Sequence, residues 1–315
     1  MLNASRRGLQ ELIPAFDPKR SRVLISKKRN DTRARDAQLA CMKWLETRGI
    51  HYQLDVHDPD TPNFQKPAPS TRPDLVITLG GDGTVLRTVD SLVSDDSCGD
   101  PGSPAPAILA FAVGSLGFLT PHSFGNFDQI LKSLFSEPSP VTMRCMLSCQ
   151  VRDTSGECLT QHRVLNECLV ARGSRSSFHR LDVAVNGRFL AQFQADGLIV
   201  ATPSGSSAYS LAAGGSLVAP TVPAILLTPV APHSLSTRPL ILPADAELEI
   251  SVPQSSRTAP IASFDGQNDR ELKKGQVVKI SAAKTAVPFI TGEAPLSDWF
   301  GSLRSKLHWA KELRE

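Results

Sequence analysis

The chain has 315 residues, enough for two domains at ~150 residues each. Its 41% hydrophobic and 21% charged side chains exclude a disordered or fibrous protein. Lys and Arg total 34 against 31 Asp and Glu, a net charge of +3, short of the basic excess usual where nucleic acid is the main partner.

Residues 1–22 hold Arg6, Arg7, Lys19, Arg20 and Arg22 against Glu11 and Asp17, and lack the apolar core of a secretory signal. They read as a flexible terminal segment, with a short mitochondrial import sequence as the alternative. Val23-Leu24-Ile25 is a short buried-strand signal, residues 31–48 carry an amphipathic helix pattern, and residues 53–56 suggest a second strand. Prolines at 59, 62, 67, 69 and 73 mark a loop over 58–72. Leu75-Val76-Ile77-Thr78-Leu79 is a continuous apolar strand, broken by residues 80–83 and followed by a helix over 84–94. A further buried strand over 107–113 runs into Gly114-Ser115-Leu116-Gly117, and a helix pattern covers 127–135. Continuous apolar strands alternating with helices indicate a parallel α/β sheet.

Beyond Pro140 the pattern changes. Residues 141–151, 159–171 and 180–194 alternate with period two, and Asn186-Gly187 is a strong hairpin signal. Residues 247–252, 260–264 and 277–280 continue in this style, and an amphipathic helix over 296–313 closes the chain. The expected fold is an α/β N-terminal domain with a parallel sheet plus an all-β C-terminal domain. It divides into a flexible segment 1–22, an α/β domain 23–140, a β-rich domain 141–290, and a terminal helix segment 291–315 free to pack back on the N-terminal domain.

The six cysteines (Cys41, Cys98, Cys145, Cys149, Cys158, Cys168) form no CxxC pair and no metal spacing with His, and read as reduced thiols of an intracellular protein. Cys145 and Cys149 are expected on one face of a strand. Residues 197–237 contain no Asp, Glu, Lys or Arg. Pro203, Gly205, Gly214, Gly215, Pro220, Pro223, Pro229 and Pro232 interrupt them, so no run of ~18 apolar residues survives and no membrane partner is expected.

Gly80-Gly81-Asp82-Gly83-Thr84 lies where a buried strand gives way to a helix. Glycines there let a backbone approach a ligand closely, and the helix start offers free N–H groups to an anion. A carboxylate in such a loop needs a specific task. Asp82 stands near Mg²⁺ between phosphates, accepts a proton from a substrate hydroxyl, or merely caps the helix. The absence of G-x-x-x-x-G-K-[ST] excludes a P-loop. Arg87 reads as part of a solvated helix face, and Lys27 and Lys28, at the end of the first strand, as weaker phosphate candidates.

This loop resembles the signature of the NAD kinases, shared with the diacylglycerol and sphingosine kinases. Asn166-Glu167 is similar to that family's Asn-Glu/Asp pair. Asp196-Gly197 with Thr202-Pro203-Ser204-Gly205-Ser206-Ser207-Ala208-Tyr209 resembles its second Gly-rich motif, and Pro232-His233-Ser234-Leu235-Ser236-Thr237-Arg238-Pro239 the eukaryotic form of the next segment. Tyr209–Ser216 and Gly114-Ser115-Leu116-Gly117-Phe118-Leu119 look closest to the fungal mitochondrial NADH kinase branch. The resemblance implies that the β-rich domain binds a dinucleotide. It implies transfer of the γ-phosphoryl group of ATP, with Mg²⁺, to the 2′-hydroxyl of the adenosine ribose of NAD⁺ or NADH. It also implies a homo-oligomer, dimer or tetramer, in the mitochondrial matrix or cytoplasm. A lipid kinase using the same loop and a non-catalytic dinucleotide sensor are the rival readings.

Within that resemblance Asp82 is the catalytic residue, orienting or deprotonating the hydroxyl, and Gly80, Gly81, Gly83 and Thr84 hold phosphates. Asp82→Asn is expected to cost orders of magnitude in turnover with little loss of fold. Asn166 suits a ribose hydroxyl or base edge, and Glu167 accepts from ribose hydroxyls. Ser204, Ser207, Ala208 and Tyr209 open a helix suited to adenine between backbone amides and an aromatic ring. Phe118 reads either as the opposite wall or as ordinary core. The resemblance assigns Asp196 to the nicotinamide end and His233 to the nicotinamide pocket, and makes Asp265-Gly266 a supporting turn.

Overall fold

The computed structural model describes residues 11–55, 72–93, 105–173, 179–256, 259–292 and 296–310. The chain divides into two compact units, residues 1–143 with 287–315, and residues 144–286.

The first unit is an α/β sheet. Its strands are β1 (Glu11–Ile13), β2 (Val23–Lys27), β3 (Tyr52–Leu54), β4 (Leu75–Gly80), β5 (Ala107–Ala112), β6 (His122–Ser123) and β7 (Ser139–Arg144), with Val287–Ile290 inserted between β7 and β5. The strands β3, β2, β4, β5 and Val287–Ile290 run parallel, whereas β1 pairs antiparallel with β7. β4 and β5 are buried along their whole length, which is why they read as unbroken apolar runs rather than alternating ones. Helix α1 (Thr32–Glu46) is capped by Asp31, whose carboxylate accepts from the backbone N–H of Arg33 and Ala34. It buries Ala37, Cys41, Trp44 and Leu45 against the sheet core of Ile25, Ile77, Leu109 and Phe111. α2 (Asp82–Val93) and α3 (Phe127–Leu134) follow β4 and β6.

The second unit holds two six-stranded antiparallel sheets. Its strands are β8 (Leu147–Arg152), β9 (Cys158–Val164), β10 (Glu167–Arg172), β11 (His179–Val185), β12 (Arg188–Ala195), β13 (Gly197–Ala201), β14 (Ala224–Val230), β15 (Leu240–Pro243), β16 (Leu248–Ser251), β17 (Pro260–Phe264), β18 (Asn268–Glu271) and β19 (Val277–Ala282). One sheet runs β15-β14-β13-β10-β17-β18 and the other β12-β11-β16-β19-β8-β9. Their inward residues, among them Val151, Val170, Leu181, Val200, Ile250 and Val278, form one core. Asn186 and Gly187 take φ of +51° and +72° and turn β11 into β12, the primed-turn geometry that Asn-Gly favours.

Several expectations are corrected. The alternating run 141–151 is two strands in different sheets: β7 belongs to the first unit's sheet, and β8 to the second unit. Cys145 falls in the break between them, so it shares no strand face with Cys149. Cys149 and Cys168 are instead buried in one core, and burial with the neighbouring thiol pushes Cys149 well above the ordinary thiol range. The boundary at 290 moves to 286, because Val287–Ile290 pairs with β5. Residues 11–13 form an edge strand within the expected flexible segment. The final helix is shorter than expected, Ser297–Lys306. Most of the proline loop, Cys98 and residues 1–10 lie outside the described residues. No described helix is long and apolar enough to cross a membrane.

Candidate functional site

In the first unit the loop after β4 is shaped by close packing. A Cβ on Gly80 would stand 2.9 Å from Thr84 Cβ and 3.1 Å from Lys28 Cβ, so only glycine lets the strand end meet the helix this tightly. The Gly81 carbonyl accepts from Thr84 N at 2.9 Å and opens α2, leaving the earlier N–H groups of that turn available. A cavity of about 660 Å³ lies here, lined by Gly80, Gly81, Gly83, Thr84 and Gly114 and by Lys28, Arg29, Arg33 and Arg87. Four cations around a helix start suit a polyanion such as a triphosphate. Asp31 disciplines two of them: its carboxylate lies 3.1 Å from Lys28 Nζ and 3.6 Å from Arg33 Nη2. The Lys28 hydrogen bond, followed by that from the Ala34 amide, holds its carboxyl down at about 2.

Asp82 is the first residue of α2, but its carboxylate does not cap that helix. Oδ2 accepts from Phe118 N at 2.9 Å, and Oδ1 from Leu119 N at 3.0 Å and Thr120 Oγ1 at 3.1 Å. With roughly four acceptor positions on a carboxylate, one on Oδ2 stays open. A Cβ on Gly117 would lie 2.6 Å from Asp82 Cγ, so this glycine makes room for the carboxylate. The C-terminal helix holds the same loop from outside, Ser302 Oγ donating to Gly117 O at 3.0 Å and Lys306 Nζ to Ser115 Oγ at 3.2 Å. Asp82→Asn would turn amide hydrogens toward these donors. These contacts put a structural cost of Asp82→Asn beside the expected loss of turnover.

Two more readings change. Arg87 is no solvated residue: Nη2 donates to Lys27 O at 2.7 Å and lies 3.7 Å from Asp55 Oδ2, while Asp55 accepts from Ser26 Oγ at 2.7 Å. Lys27 is buried at 2% exposure and does not line the cavity, whereas Lys28 does.

In the second unit Asn166-Glu167 sits where β10 begins. The Asp265 carboxylate accepts from three successive amides, Leu165 N at 2.7 Å, Asn166 N at 2.9 Å and Glu167 N at 3.0 Å. Thr202 Oγ1 donates to Leu165 O at 2.6 Å, and a Cβ on Gly205 would collide with the Asn166 backbone, 2.9 Å from its Cα. The motif around 202–209 thus lies directly on Asn166. Asn166 Oδ1 and Glu167 Oε2 are buried without a hydrogen-bond partner among the described residues. A buried acceptor left open costs stability unless a ligand supplies the donor. Burial first, then the Asp265 charge, pushes the Glu167 carboxyl up to about 7.

Ser204 is buried and accepts from Arg144 Nη1 at 2.9 Å. Ser207 Oγ donates to Ser204 O at 3.2 Å. The expected single helix is a 3₁₀ turn, Gly205–Ser207, then the one-turn helix α4 (Tyr209–Ala212), with Ala208 between them and Tyr209 43% exposed. Asp196, joining β12 to β13, pairs with Arg172 at 3.2 Å. His233 is exposed, its backbone N–H bonded to Gln194 O at 2.8 Å. Phe118 is half-buried in the first unit. Sequence reasoning missed Arg33, Gly117, Arg144 and Ser302. Only Gly117 carried a signal, as the glycine closing a strand-end turn.

A glycine loop with a cationic cavity on an α/β unit, and unsatisfied acceptors on a β unit, are features that suit the phosphates and hydroxyls of nucleotides. The family model for the ATP-NAD kinase N-terminal domain matches residues 46–138, and that for the C-terminal domain residues 165–292. The chain belongs to the ATP-NAD kinase family. It is 40% identical over 250 residues to the ATP-NADH kinase YEF1 of Saccharomyces cerevisiae, covering 75% of this chain and 48% of that one. It is 34% identical over 297 residues to the NAD kinase of Citrifermentans bemidjiense, covering 92% and 99%. The crystal structure of yeast NADH kinase complexed with NADH superposes with a TM-score of 0.81 at 28% identity, covering 97% of this chain and 95% of that one. The chain spans about half the length of the yeast and plant curated relatives it matches first.

Proposed function

We propose that this chain transfers the γ-phosphoryl group of ATP to the 2′-hydroxyl of the adenosine ribose of NAD⁺ or NADH. The observation that carries this is the pair of open acceptors, Asn166 Oδ1 and Glu167 Oε2, buried without a partner among the described residues, which a donor-rich ligand would satisfy. Ribose hydroxyls are such donors, and the likeness to the NADH-bound yeast kinase supports the assignment. An acyl chain, which the lipid-kinase reading requires, would leave both acceptors unsatisfied.

On the donor side the Gly81–Thr84 helix start and the Lys28, Arg29, Arg33 and Arg87 cations offset phosphate charge. Asp82 orients the attacking hydroxyl through the acceptor position that its loop contacts leave open, and takes up the proton as the phosphoryl group moves. Mg²⁺ enters as part of the substrate MgATP, where it offsets charge on the triphosphate. Free thiols at the five described cysteines are in keeping with a reducing compartment, mitochondrial matrix or cytoplasm. Exposed Phe189, Leu190 and Ile241 supply apolar surface for a homo-oligomer, which sedimentation tests.

The deciding assay is formation of NADP⁺ from NAD⁺ and NADPH from NADH, in parallel, with MgATP. Product from either dinucleotide supports the assignment, and the ratio of rates sets the preference. ATP consumption driven by diacylglycerol and by neither dinucleotide would overturn it.

A further inference from the structure

Asp265 is the residue whose geometry the transfer reaction alone does not explain. It takes φ of +50°, a region that Asp and Asn tolerate better than other side chains, and is followed by Gly266 at +66°. The turn brings its carboxylate back over the start of β10, where the three N–H groups of residues 165–167 converge on it. Its own N–H donates to Glu167 O at 3.0 Å, so turn and strand hold each other from both sides. Immediately beside this knot stand the two acceptors that no described protein group satisfies.

We propose that Asp265 is a positioning residue that couples dinucleotide binding to proton release, by fixing Asn166 and Glu167 in place and by setting its own negative charge against the Glu167 carboxylate. This rests on the NAD(H) kinase reading given above. Two groups of like charge in a desolvated site cannot both ionise freely, and Asp265, with three amide donors, is the one better supplied. Free Glu167 therefore holds a proton over part of the neutral range, its carboxyl standing at about 7. A ligand hydroxyl that donates to Glu167 favours the ionised form, so binding expels that proton into solvent.

The groups around Glu167 limit the alternatives. The β17–β18 turn contributes Asp265. β13 places the apolar Ala201 opposite Glu167. β9 brings His162, stacked on Phe264 at 4.2 Å, and Arg163. Cys149, behind the turn, is held protonated by burial and by Cys168. His162 is thus the competing source of a pH effect.

The test is calorimetric binding of NADH and NAD⁺ to the whole protein from about pH 5.5 to 8.5, in buffers of different ionisation enthalpy. Wild type should weaken as pH falls below about 7, by up to roughly tenfold per pH unit, with net proton release near neutrality. Glu167→Gln should bind with an affinity that hardly changes across this range. A limb that persists in Glu167→Gln belongs to His162 and overturns the proposal, as does a wild type whose affinity is independent of pH. Asp265→Asn keeps a residue tolerant of the turn and removes the charge. It should shift the acid limb to lower pH and raise KM for the dinucleotide roughly tenfold, with a smaller change in kcat. An unshifted limb in a folded Asp265→Asn protein overturns the charge coupling. Should that variant fail to fold, the Glu167→Gln comparison still decides. Wild type that binds neither dinucleotide at any pH overturns the kinase reading itself, an outcome distinct from pH-independent binding.

Discussion

Asp82 in the first unit and Asp265 in the second are built by the same device and used to different ends. Each carboxylate reaches across to a segment distant in sequence and accepts three hydrogen bonds there, from residues 118–120 in one case and 165–167 in the other. Asp82 keeps one acceptor position open, the one through which the proposed reaction would run. Asp265 lends its order to two neighbours, Asn166 and Glu167, which remain open. A satisfied carboxylate organises backbone, and an unsatisfied one is left open to a ligand. The molecule places one of each kind side by side in the second unit and joins both roles in a single residue in the first.

The comparison breaks most readily at Asp82. Asp82→Asn should lower kcat at least about a hundredfold and also lower the melting temperature, because the loop over 117–120 loses its acceptor. Activity above about a tenth of wild type would refute the catalytic assignment. Asp82→Asn with normal melting would refute the organising one.

Glu167 gives the next largest effect, and its sign is specific. Its carboxyl stands at about 7, above the ordinary 4.5, so its contribution to stability is fully present below about pH 4.5 and is lost as pH rises through 7. Glu167→Gln should therefore match wild type at pH 4.5 and exceed it at pH 8, by up to about 3 kcal/mol. Denaturant titrations at the two pH values measure this. Equal stability at both would mean that the group carries no strain. Gly117→Ala pushes a methyl into the Asp82 carboxylate and should cost about 1–3 kcal/mol, with activity falling in parallel. Smallest is Ser302→Ala, which removes one buried hydrogen bond to Gly117 O and should cost about 1 kcal/mol, read as a shift of melting temperature. A larger loss of kcat than of stability would show that the C-terminal helix acts on Asp82 through that loop.

The parts of this design legible in the sequence are those set by neighbours along the chain. Residues 75–79 followed by glycines announced a buried strand ending at a ligand loop, and Asn186-Gly187 announced its hairpin. The contacts that define the sites join residues far apart, 36 to 38 positions between Asp82 and its donors and 98 to 100 between Asp265 and its own. No periodicity reports such pairings. Arg87 shows the same limit: its helical position allowed a solvated face, and the strand carbonyl of Lys27, 60 residues away, took it instead. Lys27 looked like a phosphate ligand because it ends a strand at the loop edge. Side-chain alternation turned it inward and left that place to Lys28. The break at Cys145 was hidden because two strands of different sheets can continue one alternating pattern.

The insertion of Val287–Ile290 between β5 and β7 has a consequence for biosynthesis. The first unit emerges from the ribosome with a gap in the middle of its sheet, and more than 140 further residues must be made before the filling strand appears. Until then β7 and the part of β5 before its pairing with β6 present an open edge, the exposed feature that invites association with other chains. The Ser302 and Lys306 latch on the Asp82 loop arrives later still. A chain stopped before residue 287 therefore lacks the strand that fills its first sheet, and one stopped before residue 302 also lacks the hydroxyl that holds Gly117 O.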